Sequence, residues 1–470
     1  MMIPSSLSDF SVRRQQAVLV APAKPTPHEL KPLSDIDDQA GLRFVMPALF
    51  FYRAEPSMAG RDPAKVIREA LAKTLVFYYP FAGRVREGPA QKLFVDCTGE
   101  GVMFVEADAN VRIQDFGDDL PLPTHVLEDL ICETDVSSGV LNSPIFLIQV
   151  TRLVCGGFVL ALQLNHTMCD ASGLVLFMKA IAEMALGATT PSVRPVWARE
   201  LLSARNNPPR LTHAHPEYEE AKTETANSEA TWLTSPMVQR SLFFGSEELS
   251  ALRNRLPPRL RRSSAFEILT ACIWRSRTMA LQYQNEEEVR VICVVNARNK
   301  FRPALPAGYY GNALAFVAAI SNVRELCEKP LGYALELVKK AKDEVTDDYM
   351  RSVADLMVMR GRPQLMTKGG YFVSDVTRMA LGEINFGWGA PLYGGPGRGS
   401  VGEDPGFSSF FIRFRNSKGE DGILVQVSLP PLAMQRFLVD IESMTKDRLT
   451  TTTTIHHHFA HAYQYPLSKL

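Results

Sequence analysis

Two histidines in this chain stand four residues ahead of an aspartate: His125 before Asp129 in HVLED, and His166 before Asp170 in LNHTMCDASG. An imidazole titrates near neutrality, so a histidine can take a proton from an alcohol and return it to a leaving group. The aspartate would either hold the imidazole or brace the loop through an arginine. Spacing alone is weak evidence, since each histidine has roughly a one in twenty chance of such a neighbour. Context separates the two. His125 follows the proline-rich PLPT and opens an amphipathic helix, which reads as a surface residue. His166 follows the apolar run Phe158 to Leu164, a buried strand, and precedes a helix from Gly173. A residue just past the end of a central strand points into the crevice where α/β proteins bind ligands. On the residues alone, a base at His166 and a satisfied histidine at a strand end stand equal.

Other chemistries have less support. GRGSVG (Gly397 to Gly402) matches GxGxxG, but no strand precedes it and Asp404-Pro405 follows, so it is not a dinucleotide site. The cysteines Cys97, Cys132, Cys155, Cys169, Cys272, Cys293 and Cys327 are scattered singly without a CxxC, which points to buried thiols in a reduced compartment and to no metal site. His456, His457, His458 and His461 belong to a low-complexity tail. Arg253, Arg255, Arg259, Arg261 and Arg262 cluster ahead of a helix whose Ser264 and Glu267 have capping-box spacing. A helix N-terminus with arginines can receive a phosphate, and a solvated basic loop is the competing reading. Lysine plus arginine (51) balances aspartate plus glutamate (51), so neither nucleic acid nor an anionic membrane is expected as a partner. No apolar run approaches the roughly 18 residues of a bilayer span. The run Ala17 to Pro22 is too short for a signal-peptide core.

The elements that must position these residues follow from periodicity. A chain of 470 residues is too long for one core and predicts two domains. Strands are expected at 17–20, 49–52, 92–95 and 102–106, then at 145–154 and 158–164, a hairpin turning at Cys155-Gly156-Gly157. A helix is expected over 63–73, capped by Asp62, and another over 173–186 ending at Gly187. Residues 188–230 turn rich in proline and charge, a long connector. Beyond it come strands at 238–244, 289–295, 314–318, 410–415 and 422–428, with helices at 264–282, 331–347 and 431–449. The expected organisation is a first domain over 1–187, a crossover loop over 188–234, a second domain over 235–450 and a tail over 451–470.

NHTMCD, followed far downstream by NFGWG (Asn385 to Gly389), resembles the paired HxxxD and DFGWG signatures of the plant BAHD acyltransferase family. YPFAGR, CGGFVLALQLNHTMCD, SAFEILTACIWR, YYGNA, SVADLMVMRGRP and LYGGPG extend the resemblance over nearly the whole chain, most closely to the clade of alcohol acyltransferases and benzyl alcohol O-benzoyltransferases. The resemblance implies an α/β fold of two chloramphenicol-acetyltransferase-like domains with mixed β-sheets and an active-site channel at their interface. It implies acyl-CoA as co-substrate, no permanently bound cofactor or metal, and a monomer. His166 would be the general base, with no covalent enzyme intermediate. Asp170 would pair with an arginine, for which Arg298 in VVNARNK is the candidate. Asn385 departs from the family's aspartate; the block it opens, with Gly387 and Trp388, is expected to support the fold, and losing the charge to cost some rigidity. Ser263, Ser264, Arg261 and Arg262 are the candidates for holding CoA. Met46, Ala48 and Phe50 stand where hydroxycinnamoyl transferases of the family carry hydroxyl side chains. An apolar wall there suits a small apolar alcohol and penalises polyhydroxy acids, whose polar groups would lie unpaired.

The expected reaction is therefore acyl transfer from acyl-CoA to a small alcohol, benzoyl-CoA to benzyl alcohol giving benzyl benzoate by first choice. Acetyl-CoA with a short aliphatic alcohol is the close alternative, and a thioesterase or a silent acyl-CoA binder are rivals of another class. Ser468, Lys469 and Leu470 form an S-K-L terminus, a receptor-read peroxisomal address, with the cytoplasm as the alternative location.

Overall fold

The computed structural model describes residues 10–446, apart from 117–125, 127–128, 133–138, 207, 220–235, 367–368, 398–405 and 417. His125, the glycine-rich 398–402 and the C-terminal tripeptide lie outside the described residues. The first half carries strands β1 (Val12–Arg14), β2 (Val18–Val20), β3 (Leu30–Pro32), β4 (Val45–Tyr52), β5 (Arg84–Glu87), β6 (Leu93–Asp96), β7 (Val102–Ala109), β8 (Phe146–Leu153) and β9 (Phe158–Asn165), with helices α1 (Pro63–Thr74) and α2 (Ala171–Ala185). The second half carries β10 (Val238–Phe244), β11 (Glu288–Asn296), β12 (Leu314–Asn322), β13 (Gly370–Asp375), β14 (Tyr393–Pro396), β15 (Ser408–Arg415) and β16 (Asp421–Leu429). Its helices are α3 (Ser246–Asn254), α4 (Ala265–Leu281), α5 (Val323–Glu328), α6 (Leu331–Asp343), α7 (Asp347–Met359) and α8 (Pro431–Thr445).

Local chemistry accounts for the element ends. Asp62 accepts from the Ala64 N–H at 3.2 Å and Pro63 fills the first turn, so α1 starts there. β8 and β9 are buried along almost their whole length, as continuous apolar runs require, and turn through Gly156 at φ +83°. The helix expected over 331–347 ends four residues early, and a second helix that was not expected follows it. α6 stops at Asp343, and Thr346 then caps α7, its Oγ1 accepting from the Tyr349 N–H at 3.1 Å. A capping threonine competes with helix continuation, and this one wins. Helices α3, α5 and α7 and strands β1, β3, β5, β13 and β14 had no counterpart in the sequence reading.

The first sheet runs β1-β7-β8-β9-β4-β14, with β2 also paired to β7; only β7 and β8 are parallel. The second runs β10-β16-β15-β13-β11-β12, parallel at β11–β13 and β13–β15. β3, β6 and β5 form a small third sheet. The mixed sheets match the expected fold class. The edge strand β14 comes from the second half of the chain, pairing Tyr393 with Phe51 and Pro396 with Ala48. Just before it, Leu381, Ile384, Phe386 and Trp388 pack into the first half's core. A separate apolar cluster joins Leu49 and Phe51 of β4 to Tyr393, Phe410, Ile412 and Leu424. The halves therefore share buried apolar surface, the dominant favourable term in such packing.

Candidate active site

A cavity of about 350 Å³ lies between the two sheets. One wall is Met46, Ala48 and Leu164 from β4 and β9 with Phe44 just ahead of β4; the other is Val294, Leu314, Phe316, Phe372 and Phe410 from β11, β12, β13 and β15. His166 stands in this wall, one residue past the end of β9. Its N–H donates to the Phe44 carbonyl at 3.0 Å, which carries the sheet pairing one step beyond the strand, and its ring lies 5.0 Å from the Phe44 ring. Nδ1 is buried and unpartnered, which leaves the Nε2 edge toward the cavity. Burial lowers the imidazole pKa below the ordinary histidine value; the His166 carbonyl, Asp170, Asn312 and Asp37 pull the other way without overcoming it. The neutral form is the one that can act as a base.

Asp170 is committed elsewhere. Arg298 grips it with two bonds, Nη1 to Oδ2 at 2.6 Å and Nη2 to Oδ1 at 2.8 Å. Oδ1 also caps α2 through the Gly173 N–H at 3.0 Å, and Oδ2 accepts from the Ala313 N–H at 3.0 Å. Burial alone would raise this carboxyl's pKa; Arg298 and the two N–H donors more than offset it, so it is lowered. Of the two roles left open by the sequence, the geometry is that of the brace, and it ties the His166 loop to the second half. The helix after it sits so close to the 309–313 turn that a Cβ on Gly173 would lie 2.1 Å from the Tyr310 carbonyl oxygen.

The other singled-out residues fall in three places. Met46 and Ala48 line the cavity, but Phe50 does not. It lies on the same face of β4, yet β4 has by then run under β14 and into the first core, where Phe50 is fully buried. Asn385, Gly387 and Trp388 are also outside the cavity wall. Asn385 Oδ1 accepts from the N–H groups of Gly387 at 2.8 Å and Gly389 at 2.9 Å, so an amide oxygen folds this turn as a carboxylate oxygen would. Gly387 takes φ +113° with its α-carbon close against Met58, and Trp388 packs edge-on against Phe158.

Ser263, Ser264, Arg261 and Arg262 gather at the start of α4, away from the cavity wall. Ser264 spends its hydroxyl on the capping box with Glu267. Arg261 Nε donates to the Leu256 carbonyl, while Arg253 holds the carbonyls of Arg261 and Ser263. Arg255 is tied to the end of α8 and Arg259 to Glu336. Four of the five clustered arginines, Arg261 among them, thus bond the protein's own groups, and all but Arg253 are exposed.

Sequence reasoning gave no role to Asp37, Arg199 or Asn312, which meet beside the His166 loop. Asn312 lay within the YYGNA block; Asp37 and Arg199 carried no signal, since each sits in irregular chain whose partners are remote in sequence. A Ser–His–Glu row also occurs: His215 bonds Ser352 Oγ at 2.8 Å and Glu217 at 3.1 Å. All three are buried, and Ser352 Oγ also accepts from backbone N–H groups of 212 and 213, so the row latches the connector onto α7 and offers no nucleophile. Among the described residues no group of three His, Cys, Asp or Glu side chains is placed to hold a metal, and no helix is long and apolar enough to cross a membrane.

The profile of the Transferase family matches residues 10–444. The chain belongs to this family, the BAHD acyltransferases. It is 58% identical over 438 residues to the benzyl alcohol O-benzoyltransferase of Petunia hybrida, covering 93% of this chain and 94% of that one. It is 52% identical over 451 residues to alcohol acyl transferase 1 (allele GSd) of Malus domestica, covering 95% and 96%. Among solved structures, vinorine synthase superposes with a TM-score of 0.70 at 20% identity over 93% of this chain and 98% of that one. TRI101 of F. graminearum, complexed with ethyl coenzyme A, does so with a TM-score of 0.66 at 14% identity over 88% and 98%. The protein is a CoA-dependent acyltransferase of this BAHD fold, with acyl-CoA as co-substrate.

Proposed function

We propose that this BAHD enzyme moves a benzoyl group from benzoyl-CoA to benzyl alcohol, with His166 as general base. The observation that carries the reading is the placement of the His166 imidazole in a mainly apolar cavity walled by both halves, where burial favours its neutral form. His166 Nε2 takes the hydroxyl proton as the alcohol oxygen attacks the thioester carbonyl. The carbon–oxygen bond forms, the carbon–sulfur bond breaks, and the imidazolium returns its proton to the departing thiolate, leaving ester and CoA. Such base assistance is worth about 10²–10⁴ in rate, and holding both substrates in one dry cavity adds to it by positioning. The β4 wall at Met46 and Ala48 offers no partner to a second hydroxyl or a carboxylate, which favours a small apolar acceptor against that wall, while Asn296, Gln364, Ser374 and Asp375 line other parts of the cavity. The relatives named for benzyl alcohol O-benzoyl transfer support benzoyl over shorter acyl groups.

The protein incubated with benzoyl-CoA should release CoA and form benzyl benzoate only when benzyl alcohol is added. Benzoate formed regardless of alcohol would identify a thioesterase, and no CoA release a binder; a strong preference for acetyl-CoA with a short aliphatic alcohol would replace the substrates. His166→Ala should lose about 10²–10⁴ of the rate, and full retention would sink the mechanism. The S-K-L tripeptide supports peroxisomal import. A fluorescent protein fused ahead of the chain should enter peroxisomes and one fused behind Leu470 should not; import of both would refute the address.

A further inference from the structure

We propose that Asn312 is a positioning residue that fixes the His166 imidazole with its proton on Nδ1 and its lone pair on Nε2, and that Asp37 and Arg199 hold the Asn312 carboxamide in place. This rests on the reading of His166 as the base and deepens it.

Asn312 is fully buried. Its Nδ2 donates to the His166 carbonyl at 2.9 Å and to Asp37 Oδ1 at 2.9 Å, and its backbone N–H donates to the same Oδ1 at 2.9 Å. These contacts settle which end of the carboxamide is which. A flipped amide would set its oxygen against a carboxylate and a carbonyl, acceptor against acceptor. Oδ1 therefore points the other way, buried and unpartnered. The imidazole Nδ1 of His166 is likewise buried without a hydrogen bond of good geometry, while its own carbonyl and the Asn312 side chain both favour a protonated ring. These two orphans are complementary and sit on residues already joined through Nδ2. Leaving a buried polar atom unmade is costly, so pairing the two is favoured. That pair exists only when Nδ1 carries hydrogen, so it selects the tautomer whose Nε2 is free to act as base toward the cavity.

The carboxamide has its own supports. Asp37 receives Arg199 Nη1 at 2.6 Å, the Ser34 N–H at 3.1 Å and the Ser34 hydroxyl at 2.5 Å. Arg199, in the connector between the halves, also donates through Nη2 to the Met168 carbonyl at 2.7 Å, two residues past His166. Its guanidinium lies 4.5 Å from the Trp197 ring centre and 5.2 Å from that of Tyr310. A Cβ on Gly311 would lie 1.9 Å from Arg199 Nη1, so the turn that presents Asn312 must have glycine there. Three remote segments thus converge on one loop, two of them holding its carbonyls directly.

The test is the ring-nitrogen spectrum of the full-length protein labelled with 15N-histidine at pH 8, the His166 signals assigned by their loss in His166→Ala. Wild-type enzyme should show a protonated Nδ1 and a bare Nε2. Asn312→Ala should show exchange between tautomers. Its kcat should fall about tenfold or more with both KM values little changed, the mark of an interaction realised in the transition state. Its acid limb should move to lower pH, because the lost oxygen favoured the protonated ring. A wild-type spectrum with the proton on Nε2 would overturn the proposal, and decides the matter even if Asn312→Ala does not fold. A folded, CoA-binding Asn312→Ala with unchanged tautomer and kcat would overturn it too. Full activity of His166→Ala would instead refute the base assignment, without touching the tautomer result.

Discussion

Asp170→Asn and Arg298→Met, made singly and together, separate a brace from a catalytic partner. Asp170 and Arg298 are 9% and 18% exposed at their side chains, so their bidentate pair is largely withdrawn from water. Removing one partner of a buried pair costs about 3–5 kcal/mol, mostly because the other charge is left uncompensated. The lower end applies here. Asparagine still offers an oxygen to the Gly173 N–H, and Arg298 keeps the Gly311 carbonyl at 2.6 Å. Each single change should therefore destabilise by about 3 kcal/mol, near 1 M in urea midpoint at a slope of about 3 kcal/mol/M. The double variant leaves no buried charge, so it should lose about 3 kcal/mol again, not about 6. That is a coupling energy of about 2–3 kcal/mol. Urea unfolding followed by tryptophan fluorescence measures it, with CoA binding checking that the folded state is native. Additive losses, with coupling under about 0.5 kcal/mol, would refute the brace and return Asp170 to the imidazole.

Four further outcomes follow from the geometry. Burial holds the His166 pKa below its ordinary value of about 6.5, so kcat/KM for ester formation should be level above neutrality and fall with unit slope as pH drops through that lowered value; an inflection above 6.5 would contradict the burial argument. The same depression means that the neutral ring's contribution to stability is present above about pH 6.5 and lost as pH falls through the folded-state pKa, which acid-side urea titrations of wild type and His166→Ala should resolve. Asn385→Asp should leave activity and stability nearly unchanged, because either side chain supplies an oxygen to Gly387 and Gly389, whereas Asn385→Ala should cost about 1–2 kcal/mol in the same unfolding assay; a large gain from aspartate would show that the missing charge matters. Gly173→Ala should destabilise by at least about 1–3 kcal/mol and lower kcat, since its Cβ would meet the Tyr310 carbonyl oxygen; a wild-type Tm would contradict the packing.

Much of this protein was legible in its chain. Continuous apolar runs announced β8 and β9, because strands buried on both faces have no polar positions to alternate. Asp62-Pro63 announced α1, and Ser264 with Glu267 announced α4, because caps act within one turn. His166 could be placed at a strand end, and Arg298 could be nominated for Asp170 by resemblance. What the chain did not disclose is what depends on contacts between remote segments. The helix at 331–347 was carried four residues too far and α7 was not expected, because the stop at Asp343 and the new start are set by Thr346 acting as a cap. Phe50 was placed in the pocket by resemblance to family positions; it shares the face of Met46 and Ala48, but where the cavity ends along the strand is decided by packing. The pairing of β14 with β4, the closure of the cavity between two sheets, and the meeting of Asp37, Arg199 and Asn312 at the His166 loop belong to the tertiary structure alone. Local spacing determines elements and candidate chemistry. Which buried donors and acceptors finally satisfy one another is decided only when the chain is packed, because a hydrogen bond between residues 37 and 312 leaves no periodicity in either segment.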